Sequence, residues 1–337
     1  VTVPAPEQVP PLEMPVIPPT TTAPGATPPK TPAPEAPKNP WAKVPPANVF
    51  ARPGLFTIPG SGPGYYSLFD SLEGTYREKA PAFPYAPFTM QPPGNFDLNY
   101  SHLDKPDYGE RDIFDSLKRM HPTPNTMWSV GGQHSARYMY EGNSRLGLVN
   151  NDYLLIRNRI YSDFWYGDSF RIYGEMLSGT TTGQELVPLA IDENKVDVLN
   201  LFAEAKVATV GGSGVNVRVG RQELIYGSQR LVSTLDWANT RRTFDGAKAY
   251  WHSEKFDIDA FWARPVIIDP SHLDKTNHNI HFYGVWLTAR PAKGVFVDLY
   301  YLGLTDNNLI GNPFFPPATR PVGTQDTQTF GGRVAGN

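Results

Sequence analysis

From Trp128 to the end of the chain, apolar and polar residues alternate with a period of two. In 128–141, Trp128, Val130, Ala136, Tyr138 and Tyr140 oppose Ser129, Gly131, Gln133, Ser135, Arg137 and Glu141. In 153–164, Leu154, Ile156, Ile160 and Phe164 oppose Arg157, Arg159 and Asp163. Phe170, Ile172 and Met176 oppose Arg171, Tyr173 and Glu175 in the next run. In 196–208, Leu199, Leu201, Ala203 and Val207 oppose Asn200, Glu204 and Lys206. Val215, Val217 and Val219 then oppose Asn216 and Arg218. Successive strand side chains point to opposite faces, so the pattern predicts strands with one apolar side. Leu154, Ile156, Ile172, Leu199, Leu201 and Val217 are expected on that side, facing outward. His134 and Asn158 fall among them and break the pattern.

A soluble sandwich shows the same alternation, and the connections separate the two architectures. Tyr166–Asp168, Thr209–Ser213, Ser253–Lys255 and Arg290–Lys293 read as short turns. The links 142–151, 178–195, 225–241, 266–278 and 305–326 are long and fall between them. Strict alternation of short and long links is the signature of an outer-membrane barrel, with tight periplasmic turns and long extracellular loops. The charged side also fits a wetted lumen better than a packed core, where unpaired charge is costly. The expected fold is therefore all-β: an antiparallel transmembrane meander of about ten strands over 127–337. Its first strand runs outward, which puts the N-terminus in the periplasm.

Two segments precede the strands. Residues 1–54 are rich in proline, with Ala, Thr, Glu and Lys between, and bury too little apolar surface to order themselves. They read as a disordered leader in the periplasm, either a tether or a plain spacer, and should be cut rapidly by proteases. Residues 55–126 scatter Phe56, Tyr65, Tyr66, Phe69, Phe83, Tyr85, Phe88, Phe96 and Tyr100 among prolines and glycines. This reads as irregular backbone pinned by its aromatics, with a short helix at Asp112–Met120 where Ile113, Phe114 and Leu117 share a face.

Composition narrows the field. No stretch approaches the roughly 20 apolar residues of a membrane helix. Cysteine is absent, which removes disulfides and thiolate chemistry. The net charge of −3 argues against a nucleic-acid partner. The 7 histidines lack metal-site spacing and no cofactor motif occurs, so neither metal nor cofactor is expected. Asp257 and Asp259 share a strand face, but acids two apart on a strand read as wall charges, and no catalytic residue or enzymatic activity is expected. The chain begins at Val1, as a processed or trimmed protein would.

One stretch carries a specific resemblance. The pieces Gly220-Arg221-Gln222-Glu223-Leu224, Tyr226-Gly227, Gln229-Arg230-Leu231, Asp236-Trp237 and Arg241-Arg242-Thr243-Phe244-Asp245-Gly246 fall in order over one strand–loop–strand unit. They resemble the alginate-export porin family, as does the stretch Gly64–Met120 with Tyr65-Tyr66-Ser67 and Tyr76-Arg77-Glu78-Lys79. The likeness covers roughly 60–337 and implies a barrel of about eighteen strands with an arginine-rich lumen. The chain stops within the strand-like run Thr329–Asn337, without a terminal aromatic residue. The C-terminal part of such a barrel is thus expected to be missing; the alternative is a closed barrel of about ten strands.

Two groups of candidate residues follow. Arg137, Arg157, Arg159, Arg171, Lys206, Arg218 and Lys248 lie on the polar side. They either line the path of an anionic polysaccharide such as alginate, holding its carboxylates, or pair with Glu141, Asp163, Glu175 and Glu204 in a mixed-charge wall. As path residues they should tolerate substitution, so replacing Arg171 and Arg218 with Gln is expected to spare folding. The motif residues Arg221, Gln222, Tyr226, Gly227, Arg230, Asp236, Trp237, Arg241, Arg242, Asp245 and Gly246 form the second group. The loop within 225–241 either folds inward as a constriction presenting Arg230, Arg241 and Arg242, or is a structural knot in which Asp236 and Asp245 pair with those arginines. The resemblance favours an outer-membrane polysaccharide porin, with membrane lipid and periplasmic export proteins as further partners. A general small-anion porin and a soluble β-rich carbohydrate-binding or adhesion protein are the competing readings.

Overall fold

The computed structural model of the chain describes residues 94–98, 100–104, 113–292, 295–311 and 322–336. The expectations for the leader 1–54 and for the aromatics before Phe96 lie outside the described residues. From Thr126 the chain is a run of strands: β1 (Thr126–Glu141), β2 (Asn151–Tyr166), β3 (Phe170–Thr182), β4 (Asn194–Val210), β5 (Ser213–Gln222), β6 (Phe244–His252), β7 (Phe256–Ile267), β8 (Lys275–Thr276), β9 (Ile280–Ala292), β10 (Val295–Gly311) and β11 (Val322–Gly336). All pair antiparallel in one sheet, in the order β1-β2-β3-β4-β5-β6-β7-β9-β10-β11, and β8 adds only to β7. This is the all-β meander that the alternation predicts. The long strands run from 9 residues in β6 to 17 in β4 and β10. About 9–11 residues suffice for a tilted strand to cross a bilayer.

The links sort as expected. Residues 167–169, 211–212 and 253–255 turn tightly at one end of the sheet, and β9 passes to β10 there too. The long links 142–150, 183–193, 223–243 and 268–279 gather at the other end. Strand β3 runs on to Thr182 and β10 to Gly311, further than the alternation alone suggests.

One face of the sheet is bare and apolar. Ile172 of β3 stands opposite Ala203 of β4, Ala203 opposite Val219 of β5, Val219 opposite Ala247 of β6, and Ala247 opposite Trp262 of β7. Ile160, Ile172, Met176, Leu201, Val219 and Val285 are exposed there. Trp128, Tyr166 and Phe170 mark this face toward the tight turns, and Tyr138, Tyr140 and Trp262 toward the long loops. Aromatics at both margins of an apolar band are what membrane interfaces select. His134 and Asn158 are directly paired on this face, and their side chains are hydrogen-bonded at 2.7 Å, which satisfies both in place.

Leu199 departs from the expected pattern. Glu175 pairs with Asn200 while Met176 pairs with Val198, so Leu199 is the extra residue of a β-bulge. It is buried instead of facing outward, and its carbonyl accepts a hydrogen bond from Thr243 Oγ1 at 2.7 Å. The helix expected at Asp112–Met120 is also absent over its described part. Only a 3-10 turn forms at Asp115–Leu117, and Ile113 is 83% exposed.

Candidate functional site

The opposite face is covered, and its charges form a ladder. Arg171 pairs across to Glu204 in register, Glu204 to Arg218, and Arg218 to Lys248. Arg171 holds Asp163 with two hydrogen bonds of 2.7 and 2.9 Å. Arg218 holds Glu204 at 2.6 Å, and Lys248 holds Asp259 at 3.1 Å. Further along, Arg159 reaches Glu175 at 2.8 Å and Glu223 at 3.9 Å, all three with their side chains buried. Such charges survive burial because each finds an opposite charge and hydrogen bonds.

Two pieces of chain lie over this ladder. The segment before β1 seats Phe96 between Tyr173 and Phe202, edge-on to both at 5.9 and 6.0 Å, with the Arg218 guanidinium 5.1 Å from its ring. Its carbonyl takes a 2.8 Å hydrogen bond from Arg171. Asn95 donates to Glu175 at 2.8 Å, and the Tyr100 and Tyr161 hydroxyls meet at 2.8 Å. Phe96 and Tyr100 thus hold the described part of this segment against the charged face.

The second piece is the β5–β6 link, 223–243, which folds back onto the same face. Leu224, Tyr226 and Val232 join Phe244, Phe261 and Trp286 in one apolar cluster, and Ile225 joins Phe96 and Tyr173 in another. Tyr226 stacks on Phe261 and Trp286 at 5.4 and 5.3 Å and donates to Asp259 at 3.1 Å. Glu223 accepts from Arg241 at 2.5 Å, and Arg241 also pairs with Asp236. Asn239 spends its amide on the carbonyls of Ile156, Thr180 and Asp192, sewing the link to β2 and β3. Gly227 has φ +53°, and a Cβ there would lie 2.8 Å from the Trp286 ring, so a side chain is strained on both counts.

A cavity of about 430 Å³ opens at the long-loop end, between the β1–β2 link and the folded-back link. Arg137, Glu141, Tyr153, Asp192 and Trp237 are among its walls. Among the described residues no group of three or more His, Cys, Asp or Glu is set to hold a metal.

A family model for alginate export matches residues 126–337, which is the whole of the sheet just described. The chain belongs to the alginate-export family. No curated protein matches it. The family is one of outer-membrane transport barrels and not of enzymes, in keeping with the bare apolar face.

Against this alginate-export frame the candidate residues fall into distinct places. Arg157, Arg159, Arg171, Arg218 and Lys248 stand on the covered face with acidic partners, Arg157 holding Asp236 at 3.3 Å. Lys206 pairs with Asp168 at the tight β2–β3 turn, whose carboxyl is held below its ordinary value by hydrogen bonds from Lys206 and Ser169. Arg137 alone of the group faces the cavity, without a carboxylate partner among the described residues. The expected partners Asp163, Glu175 and Glu204 do take arginines, whereas Glu141 takes the hydroxyls of Ser144 and Tyr153.

The motif residues divide more sharply. Gln222 is buried and donates to the carbonyls of Gly220 and Gly246. Gly246 lets β7 approach, as a Cβ there would lie 2.3 Å from the Trp262 carbonyl oxygen. Arg230 and Arg242 are exposed, but Arg241 is buried against Glu223 and Asp236. Asp245 does not pair with the loop arginines. It holds Arg221 at 3.0 and 3.1 Å on the bare face, where Thr276 of β8 also reaches it. Strand parity decides this: Arg221 lies opposite Leu201 and Asp245, one residue out of phase with Gln222 and Phe244. The motif reads as one unit in sequence but straddles the sheet in space. Glu223, the pivot between Arg159 and Arg241, was legible only as part of the quoted motif. Asn239 gave no signal.

Proposed function

We propose that the chain is the wall of an outer-membrane conduit for an anionic polysaccharide such as alginate, with arginine and lysine along the path. One observation carries this reading: the sheet sorts its faces, apolar and aromatic-edged on one side, arginine-rich on the other. Lipid takes the first, and the polymer passes on the side of the second, beyond the segment and the link that cover the ladder. The tight turns then face the periplasm, and so does the leader. The paired state of the ladder favours a second reading, a general small-anion porin, because each paired arginine already has its carboxylate.

Conductance of the purified chain in a planar bilayer separates these readings. A polysaccharide conduit is blocked by uronic-acid oligomers at concentrations where neutral oligomers of equal length do nothing. Equal block by both leaves the small-anion reading. Release of the folded protein into detergent-free solution, with no channel activity, refutes both.

A further inference from the structure

The cavity at the long-loop end differs from the ladder in one respect: among the described residues its arginine holds no acid, whereas Arg157 and Arg159, which also leave one guanidinium nitrogen unbonded, each do. Arg137 Nε is shielded from solvent and has no hydrogen-bond partner, and no carboxylate stands within ion-pair distance among the described residues. A buried donor left unmade carries a standing cost that an entering anion would remove. The two acids of the wall do not serve. Glu141 accepts from Ser144 Oγ at 2.5 Å and from Tyr153 at 2.9 Å. Asp192 accepts from the Leu189 amide at 2.8 Å and from Gln184 at 3.4 Å.

The remaining walls match a sugar. Trp237 is 63% exposed at the cavity although its neighbour Ala238 is buried, so its indole is held up by the folded-back link without being packed away. An exposed indole is a platform for the C–H face of a pyranose, whose apolar area it covers. The volume, about 430 Å³, lies in the range of small-ligand sites. Arg145 stands by as a second cation of the lining, its guanidinium hydrogen-bonded among the described residues to the Val187 carbonyl. Two arginines against two acids suit one carboxylate surrounded by hydroxyls, which the spare lone pairs of Glu141 and Asp192 accept. A dense polyphosphate would meet those acids unfavourably.

We propose that this cavity is a binding subsite for one uronate unit of an acidic polysaccharide, with Arg137 taking the carboxylate and Trp237 the ring face. The subsite rests on the conduit reading and adds to it a holding point at the long-loop mouth, apart from the ladder. A guanidinium binds a carboxylate through two parallel hydrogen bonds and loses that geometry in any neutral replacement.

The test is binding of a uronic-acid trimer to the full chain in detergent, read by tryptophan fluorescence and calorimetry, with a neutral trimer as control. The wild type binds the uronate and not the neutral sugar. Arg137→Gln weakens uronate binding by about tenfold or more, the loss of a charge-assisted bidentate contact. Arg137→Lys recovers part of it, and Trp237→Ala weakens it without changing the salt dependence. Equal affinity of the wild type for both trimers overturns the subsite, as does an unchanged affinity in Arg137→Gln. The wild-type comparison stands even if a variant fails to fold. A channel that conducts and is blocked by uronates, yet binds them identically without Arg137, removes the subsite and leaves the conduit. A folded protein that does not conduct removes the conduit.

Discussion

Replacing Arg171 and Arg218 together by Gln tests whether the covered face is a wetted wall or a packed one. Read from sequence, the pair is expected to be tolerated. The structure reverses that expectation. Glu204 takes Arg218 at 2.6 Å and has Arg171 at 3.9 Å, and all three side chains are almost inaccessible. Without both cations the carboxylate stays buried with no cation in ion-pair reach among the described residues. Breaking a buried pair by removing one side costs about 3–5 kcal/mol. Loss of the guanidinium contacts with Phe96 and Phe202 adds about 0.5–2 kcal/mol. The double variant is therefore expected to lose about 4–6 kcal/mol in urea titrations followed by heat-modifiable gel mobility. Adding Glu204→Gln removes the stranded charge and should recover most of the loss, because amides can hydrogen-bond one another without a desolvated ion. A double variant within about 1 kcal/mol of wild type, the scale of an exposed pair, would show that Glu204 reaches water and that the burial argument is wrong.

Three further outcomes follow from the same geometry. Phe96→Ala should free the segment before β1: its ring is 2% exposed, and a loss of about 3 kcal/mol or more predicts cleavage at 94–104 at least a hundredfold faster, with the strands intact. Unchanged cleavage would place the anchor elsewhere. Gly227→Ala, at φ +53° and against Trp286, should cost about 1–2 kcal/mol and disorder the 223–243 link, seen as faster amide exchange there. The Asp168 carboxyl sits below its reference value of 3.8, so its pairing with Lys206 contributes fully above that pH and is lost as pH falls through the lower folded value. A carboxyl resonance titrating at or above 3.8 would contradict this.

The strands, their order and the sorting of short and long links were legible in the sequence because they depend on local rules. A period of two places Ile172, Leu201 and Val219 on one side whatever the neighbouring strand is, and turn residues mark where the chain reverses. Contacts between distant pieces of chain were not legible, because they depend on register and on what covers each face. Leu199 turned inward because one extra residue bulges there. Arg221 and Asp245 left the rest of their motif because parity put them on the other side of the sheet. Arg171 and Arg218 are structural as well as basic because Phe96, some 75 residues before Arg171, lies on them. Arg137 looked like the other arginines in the alternation, and only the tertiary structure left it facing a cavity with no carboxylate in ion-pair reach among the described residues.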